Sequence, residues 1–238
     1  MKQPMMKKVL PLLLAGLMLA MLGCGKVPVK NAVEDAAVDV VTAGDSANTN
    51  TADVTHSSLY SADGTTEESN GESYASDTAN VNTILLERMG ILTMTSADIN
   101  KTGDSSGDYT GGQNAAVAVI SKGQLTLNQS NITTNGIGAV GMIVSAEGTQ
   151  LAVNGTSVYT SGESSPVLIV REDASAVVTL GSFSTEGADS ACILLLGGRL
   201  TLSGVTLSSK SGDTLRVLSG DNFLTLDQTT ISAMPTLA

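Results

Sequence analysis

The sequence predicts an all-β protein: a parallel β-helix, or solenoid, of about 6-7 coils behind a signal peptide and a flexible tether. Three observations predict it. A short phrase, fullest in GQLTLNQSNITT from Gly123, recurs six times along the chain. Within each copy the apolar residues alternate at a spacing of two, the period of a strand and not of a helix. Gly, Ser, Thr and Asn surround the copies, while aromatic residues are only 3%, with no Trp. An antiparallel sandwich would want hairpin turns and a more aromatic core.

The chain opens with Lys2, Lys7 and Lys8, then the apolar run VLPLLLAGLMLAML, then Gly23-Cys24. A basic region, a short apolar region and a small residue at the cut make residues 1–23 an export signal. The run is too short, and too quickly ended, to read as a membrane span. Its ending, MLGC, resembles the lipobox of bacterial lipoproteins, with Met21 where Leu is commoner. The resemblance implies that Cys24 is lipidated and anchors the mature protein to the membrane of the cell envelope, on its outward or periplasmic face. Removing the signal leaves 9 basic against 23 acidic residues, a net charge of −14 where the whole chain has −11. No Lys/Arg cluster remains, so nucleic acid is not an expected partner. Only Cys24 and Cys192 remain as cysteines. An acylated Cys24 cannot pair, so no disulfide is expected.

Residues 24–56 are rich in acids, Ala, Thr and Asn without sustained apolar period, as in a solvated tether. The only histidine, His56, ends it. A lone His with no second ligand beside it points to no metal.

Residues 57–238 are the expected β-helix domain, with LYSADGTTEESNGESYAS as an irregular first coil. The first apolar residues of the phrases are Leu92, Leu125, Leu151, Val178, Leu200 and Leu224, at gaps of 33, 26, 27, 22 and 24. About eight residues before each phrase stands another alternating pair: Ile84/Leu86, Val117/Val119, Met142/Val144, Leu168/Val170, Cys192/Leu194 and Leu215/Val217. A third apolar site follows each phrase at Ile99, Ile132, Val158, Leu207 and Ile231, with Phe183 two places early in its own unit. Three short strands per unit fit a coil. Coils stack about 4.8 Å apart and bury interior ladders against one another, in a rod of about 30 Å. Cys192 falls in a ladder, as a small buried hydrophobe and not a nucleophile.

The runs KTGDSSGDYTGGQNAAVAV, TSGESSPVLIV, TEGADSACILL and SKSGDTLRVLSGDNFLTLDQTTI resemble right-handed parallel β-helix surface proteins of anaerobic bacteria, commonly labelled adhesin-like or carbohydrate-binding domain proteins. The resemblance covers about residues 57–238. It implies a single-stranded right-handed solenoid and a binding or adhesion role, with polysaccharide or a surface protein as partner. The motifs are repetitive, so they specify the fold better than the ligand. Pro235, which cannot donate to an added strand, is placed to blunt the last coil.

Three outward features are candidate sites. The middle residues of the phrases, Thr93, Thr126, Ala152, Thr179, Thr201 and Thr225, form a Thr file interrupted once; Thr suits any solvated strand. The strand before each phrase turns apolar residues outward, with Ile120, Ile143, Ile169, Ile193 and Leu195 among them and Arg171 and Arg216 at the border. Such a patch marks a contact surface, unless the tether or first coil covers it. The long gap is filled by GDSSGDYTGG, carrying Asp104, Asp108 and Tyr109. Two acids four apart among Ser and Gly are candidate Ca²⁺ ligands, though EF-hand spacing is absent, and Tyr109 is a candidate ring for stacking on sugar.

β-Helix folds also house polysaccharide lyases and hydrolases, which group carboxylates, Ca²⁺ or a basic residue on neighbouring coils. The acids here are scattered, and the adjacent pair Glu172 and Asp173 falls in a turn. The sequence therefore favours a binding or structural role over catalysis. The alternatives are a minimal, pectate-lyase-like enzyme and a structural envelope component.

Overall fold

The computed structural model describes residues 56–211 and 213–233. The signal, Cys24, the tether through Thr55, and Pro235 lie outside the described residues. The first strand begins at Ser58, and the rest is a parallel β-solenoid of seven coils. Each coil contributes one strand to each of three seven-stranded parallel sheets. Sheet A stacks β1 (Ser58–Asp63), β4 (Asn82–Glu87), β7 (Ala115–Val119), β10 (Val140–Ser145), β13 (Leu168–Arg171), β16 (Ile193–Leu196) and β19 (Leu215–Val217). Sheet B stacks β2 (Thr66–Asn70), β5 (Ile91–Thr95), β8 (Gln124–Asn128), β11 (Gln150–Asn154), β14 (Ser175–Thr179), β17 (Arg199–Ser203) and β20 (Phe223–Asp227). Sheet C stacks β3 (Ser73–Ser76), β6 (Asp98–Lys101), β9 (Asn131–Thr134), β12 (Ser157–Thr160), β15 (Ser182–Thr185), β18 (Thr206–Ser209) and β21 (Thr230–Ala233). Among the described residues there is no α-helix.

The alternation does what the period of two requires. Leu92, Leu125, Leu151, Ala176, Leu200 and Leu224 lie in one register column of sheet B. Ile99, Ile132, Val158, Phe183, Leu207 and Ile231 lie in one column of sheet C. All but those of the last coil are essentially inaccessible to solvent. Phe183 is therefore in step with its neighbours, not two places early. The fourth phrase begins at Ala176 and not Val178, which brings the last three gaps to 25, 24 and 24. The slip has a physical cause: in AVVTL three apolar residues follow one another, and a continuous apolar run carries no parity to say which face is which.

The same cause displaces the sixth unit of sheet A. In CILLL the inward residues are Ile193 and Leu195, registered on Leu168 and Val170, and Leu194 points outward over Ile169. Ile193 and Leu195 are thus core residues and not part of an outer face. Cys192 is buried in the core; its thiol lies 2.9 Å from the Ser208 carbonyl oxygen, and burial pushes it up to about 12. No nucleophilic thiolate forms there at neutral pH.

The corners also repeat. Between sheets B and C, Gly71, Ser96, Gln129, Gly155, Leu180, Gly204 and Gln228 all adopt positive φ. Each of the first six donates its N–H to a carbonyl of the next coil. Between sheets C and A the backbones crowd. A Cβ added to Gly162 would lie 1.9 Å from Gly136 O, and one added to Gly187 would lie 1.8 Å from Gly162 O.

The first coil is regular, contrary to expectation, and polar where the others are apolar. Tyr60, Glu67, Ser69 and Tyr74 stand in register with Ile84, Leu92, Met94 and Ile99. The Tyr60 and Tyr74 rings cover the ladders, with centroids 5.2 Å apart. Tyr60 OH donates to Glu67 Oε2, and Ser69 Oγ lies 3.0 Å from Tyr74 OH. The rings pack on the core and their hydroxyls bond polar groups of the same coil, as in a terminal repeat that seals a solenoid. At the other end Leu224 and Ile231 are half-buried and Leu226 is 38% exposed.

One interior column holds polar residues: Ser76, Lys101, Thr134, Thr160, Thr185 and Ser209. Lys101 is wholly buried, and its Nζ donates to Thr78 O at 2.8 Å. Desolvation lowers this amine below the ordinary 10.5, opposed by Asp104 and Asp77. Between the folded and unfolded values the unfolded chain binds a proton that the folded chain lacks, so stability rises with pH through that window. Lys101→Met is expected to raise the melting temperature at pH 7, with an advantage that shrinks as the pH approaches 10. Melting curves of both proteins across pH 7–10 check it; an advantage constant with pH would refute the assignment.

Candidate functional site: the outward faces

The outward file of sheet A runs Leu85, Ala118, Ile143, Ile169, Leu194, and ends at Arg216 in the last coil. Its apolar members are at most 2% exposed. Among the described residues it is not the first coil but the long loop between β6 and β7, residues 102–114, that lies against them. Tyr109 packs on this apolar cluster, and a Cβ added at Gly112 would lie 3.1 Å from Ile143 Cγ2. Ile120, at 9% exposed, belongs to the same cluster. The loop is a strap across sheet A. The two features that set this unit apart in the sequence, the insertion and the apolar outer file, cover each other.

The strap is held along its length. Asp104 Oδ1 accepts from Ile137 N at 2.8 Å, and Ser105 N donates to Ile137 O at 2.7 Å. Asn80 pairs with Ser106 through both side-chain and backbone groups, and Asn114 Nδ2 donates to Gly103 O. Asp108 Oδ1 accepts from both Thr110 N and Thr110 Oγ1, capping a single 3-10 turn at Tyr109–Gly111. Arg171 donates through Nη1 to Thr110 O and through Nη2 to Glu172 Oε1 at 2.6 Å. His56 Nδ1 lies 3.1 Å from Gly112 O. The candidate Ca²⁺ ligands Asp104 and Asp108 thus each accept from strap or neighbouring-coil donors. Among the described residues no group of three or more His, Cys, Asp and Glu could hold a metal ion. Tyr109 lies half-buried on the apolar file, so its ring is not free to stack on sugar; burial raises its pKa. Arg216 pairs with Asp213 at 3.0 Å. Glu172 and Asp173 lie in a turn with positive φ. Burial raises Glu172, but bonds from Ser145 and Arg171 outweigh it and hold the carboxyl below its usual range.

On sheet B the middle outward file reads Thr93, Thr126, Ala152, Val177, Thr201, Thr225. Val177, 45% exposed, takes the place expected for Thr179, which lies one outward column along beside Asn154. Two consecutive coils therefore break the file, and no flat array of Thr spans the sheet.

Sheet C was not singled out by the sequence, and it has the most uniform outer face. Its seven strands present fourteen outward positions, two on each. Eleven are Ser, Thr or Asn; the others are Ala75, Asp98 and Tyr159. On a chain of net charge −11, one face carries a single carboxylate. The signal was present as the residues flanking the third apolar site of each phrase, but Ser and Thr there read as ordinary strand surface. Compared with models of protein families, with curated proteins and with solved structures, the chain has no match.

Proposed function

We propose that the protein is an exported, lipid-anchored solenoid serving as a non-catalytic binding and adhesion module, with carbohydrate as the ligand of sheet C. The observation that carries the reading is the broad, nearly uncharged outer face of hydroxyl and amide groups. Such groups exchange hydrogen bonds with sugar hydroxyls at little desolvation cost, and they repeat once per coil, as the units of a polymer do. The sequence resemblance to adhesin-like and carbohydrate-binding surface proteins agrees with it, as does the MLGC lipobox. No metal or cofactor enters this reading; partners are the membrane, through Cys24, and a polysaccharide or surface protein.

A glycan array with and without Ca²⁺ tests it. Binding to glycans independent of Ca²⁺ is expected. No binding to any glycan, with retained binding to cells or to protein, would sink the carbohydrate reading. Depolymerisation of pectin-like polymers would establish the enzyme alternative. For the anchor, Cys24→Ala is expected to abolish globomycin-sensitive processing and to release the protein from the membrane fraction; unchanged fractionation would count against lipidation.

A further inference from the structure

Tyr159 is the one aromatic side chain on the outer face of sheet C, and it is 37% exposed. Its register neighbours on either side, Thr133 and Ser184, are short, so neither stands as tall as the ring. Past the end of the next strand stands Glu186, paired with Lys210 one coil further on. The Glu186 carboxyl is held below its usual range by its bond from Lys210. An exposed aromatic ring therefore stands across from Ser184, two places before the ion pair of Glu186 with Lys210, on a field of hydroxyls. A pyranose ring needs such a set: one face of C–H groups to lie on an aromatic plane, and hydroxyls around its rim to bond charged acceptors and donors.

We propose that Tyr159, Glu186 and Lys210 form a subsite for one pyranose ring of a neutral, hydroxyl-rich glycan, resting on the carbohydrate reading of sheet C. Neutrality follows from charge. Lys210 is already paired with Glu186, which leaves no cation in the subsite to hold a uronate or sulfate, and the acidic chain repels polyanions. One ring gives a weak site, with a dissociation constant on the order of millimolar. Many anchored copies on one surface raise the effective affinity.

The test uses the mature chain in affinity electrophoresis and saturation-transfer NMR. The probes are neutral oligosaccharides of the cello-, xylo- and manno- series, with oligogalacturonate as the charged comparison. Tyr159→Ala is expected to weaken neutral-glycan binding by about tenfold or more, while Tyr159→Phe keeps the ring and stays within about threefold. Both should melt as the parent does, and Val177→Ser on sheet B should bind as the parent does. If the parent binds glycan and Tyr159→Ala binds equally, the subsite is wrong and the carbohydrate reading stands. If the parent binds no glycan, both fall. Tighter binding of oligogalacturonate overturns the assignment of a neutral ligand.

Discussion

Gly162→Ala is expected to cost about 3 kcal/mol or more, at the upper end of overpacking penalties, and to leave much of the protein unfolded near 40 °C. The added methyl would sit 1.9 Å from the backbone oxygen of Gly136, and that oxygen belongs to a coil locked on both sides. No side chain can rotate away to make room. Gly187 meets Gly162 in the same manner, so relief at one level would move the strain to the next. The control is Gly155→Ala. Gly155 has a φ of 61° and no atom nearer than 3.7 Å to its added Cβ. Its cost is backbone strain alone, about 1 kcal/mol. Other coils place Ser96, Gln129 and Leu180 at that corner with the same sign of φ. Urea unfolding of the two variants separates close approach from dihedral freedom. Equal losses would show that the coils can part where the glycines meet.

Replacing residues 104–113 with a short Gly-Ser linker is expected to leave the three sheets formed and to make the protein associate more strongly than the parent. The strap contributes no strand to any sheet. What it supplies is Tyr109 and the Gly112 backbone, packed against the cluster of Leu85, Ala118, Ile143, Ile169 and Leu194, a contiguous apolar strip across five coils. Exposed strips of that kind bind dyes and each other. The shortened protein should bind 1-anilinonaphthalene-8-sulfonate, elute early in size exclusion at micromolar concentration and keep its far-ultraviolet spectrum. A milder pair, Tyr109→Ala with Arg171→Ala, should move in the same direction by a smaller amount. A shortened protein that elutes as the parent does and stays dye-negative would mean that the strip is protected by something other than the strap.

The fold was legible in the sequence because a solenoid writes its ladders at fixed intervals. Where one polar residue separated two apolar ones, as in Leu125-Thr126-Leu127, parity was unambiguous and each residue went to the expected face. Where apolar residues ran together, at Ala176–Val178 and Cys192–Leu196, parity was lost and the assignment slipped. The strap could not be foreseen for a different reason. Its sequence, GDSSGDYTGG, is polar, and its covering role depends on Tyr109, on the backbone of Gly112, and on Arg171 some 60 positions on, which bonds Thr110 O. Sheet C was overlooked because a face made of Ser, Thr and Asn has no feature in any single coil. Its uniformity exists only once seven coils are stacked, and only then does Tyr159 stand out.

The unequal ends give the rod a direction. A 24-residue unit copied onto the last coil would place new apolar rungs over Leu224, Leu226 and Ile231 and remove them from water. The same unit inserted ahead of β1 would trap Glu67 and two tyrosine hydroxyls in an apolar interior, with the desolvation penalty that follows. Lengthening by duplication is therefore a one-way process in this architecture. A coil added after β21 would continue the ladders, and one added before β1 would break them at Tyr60, Glu67 and Tyr74.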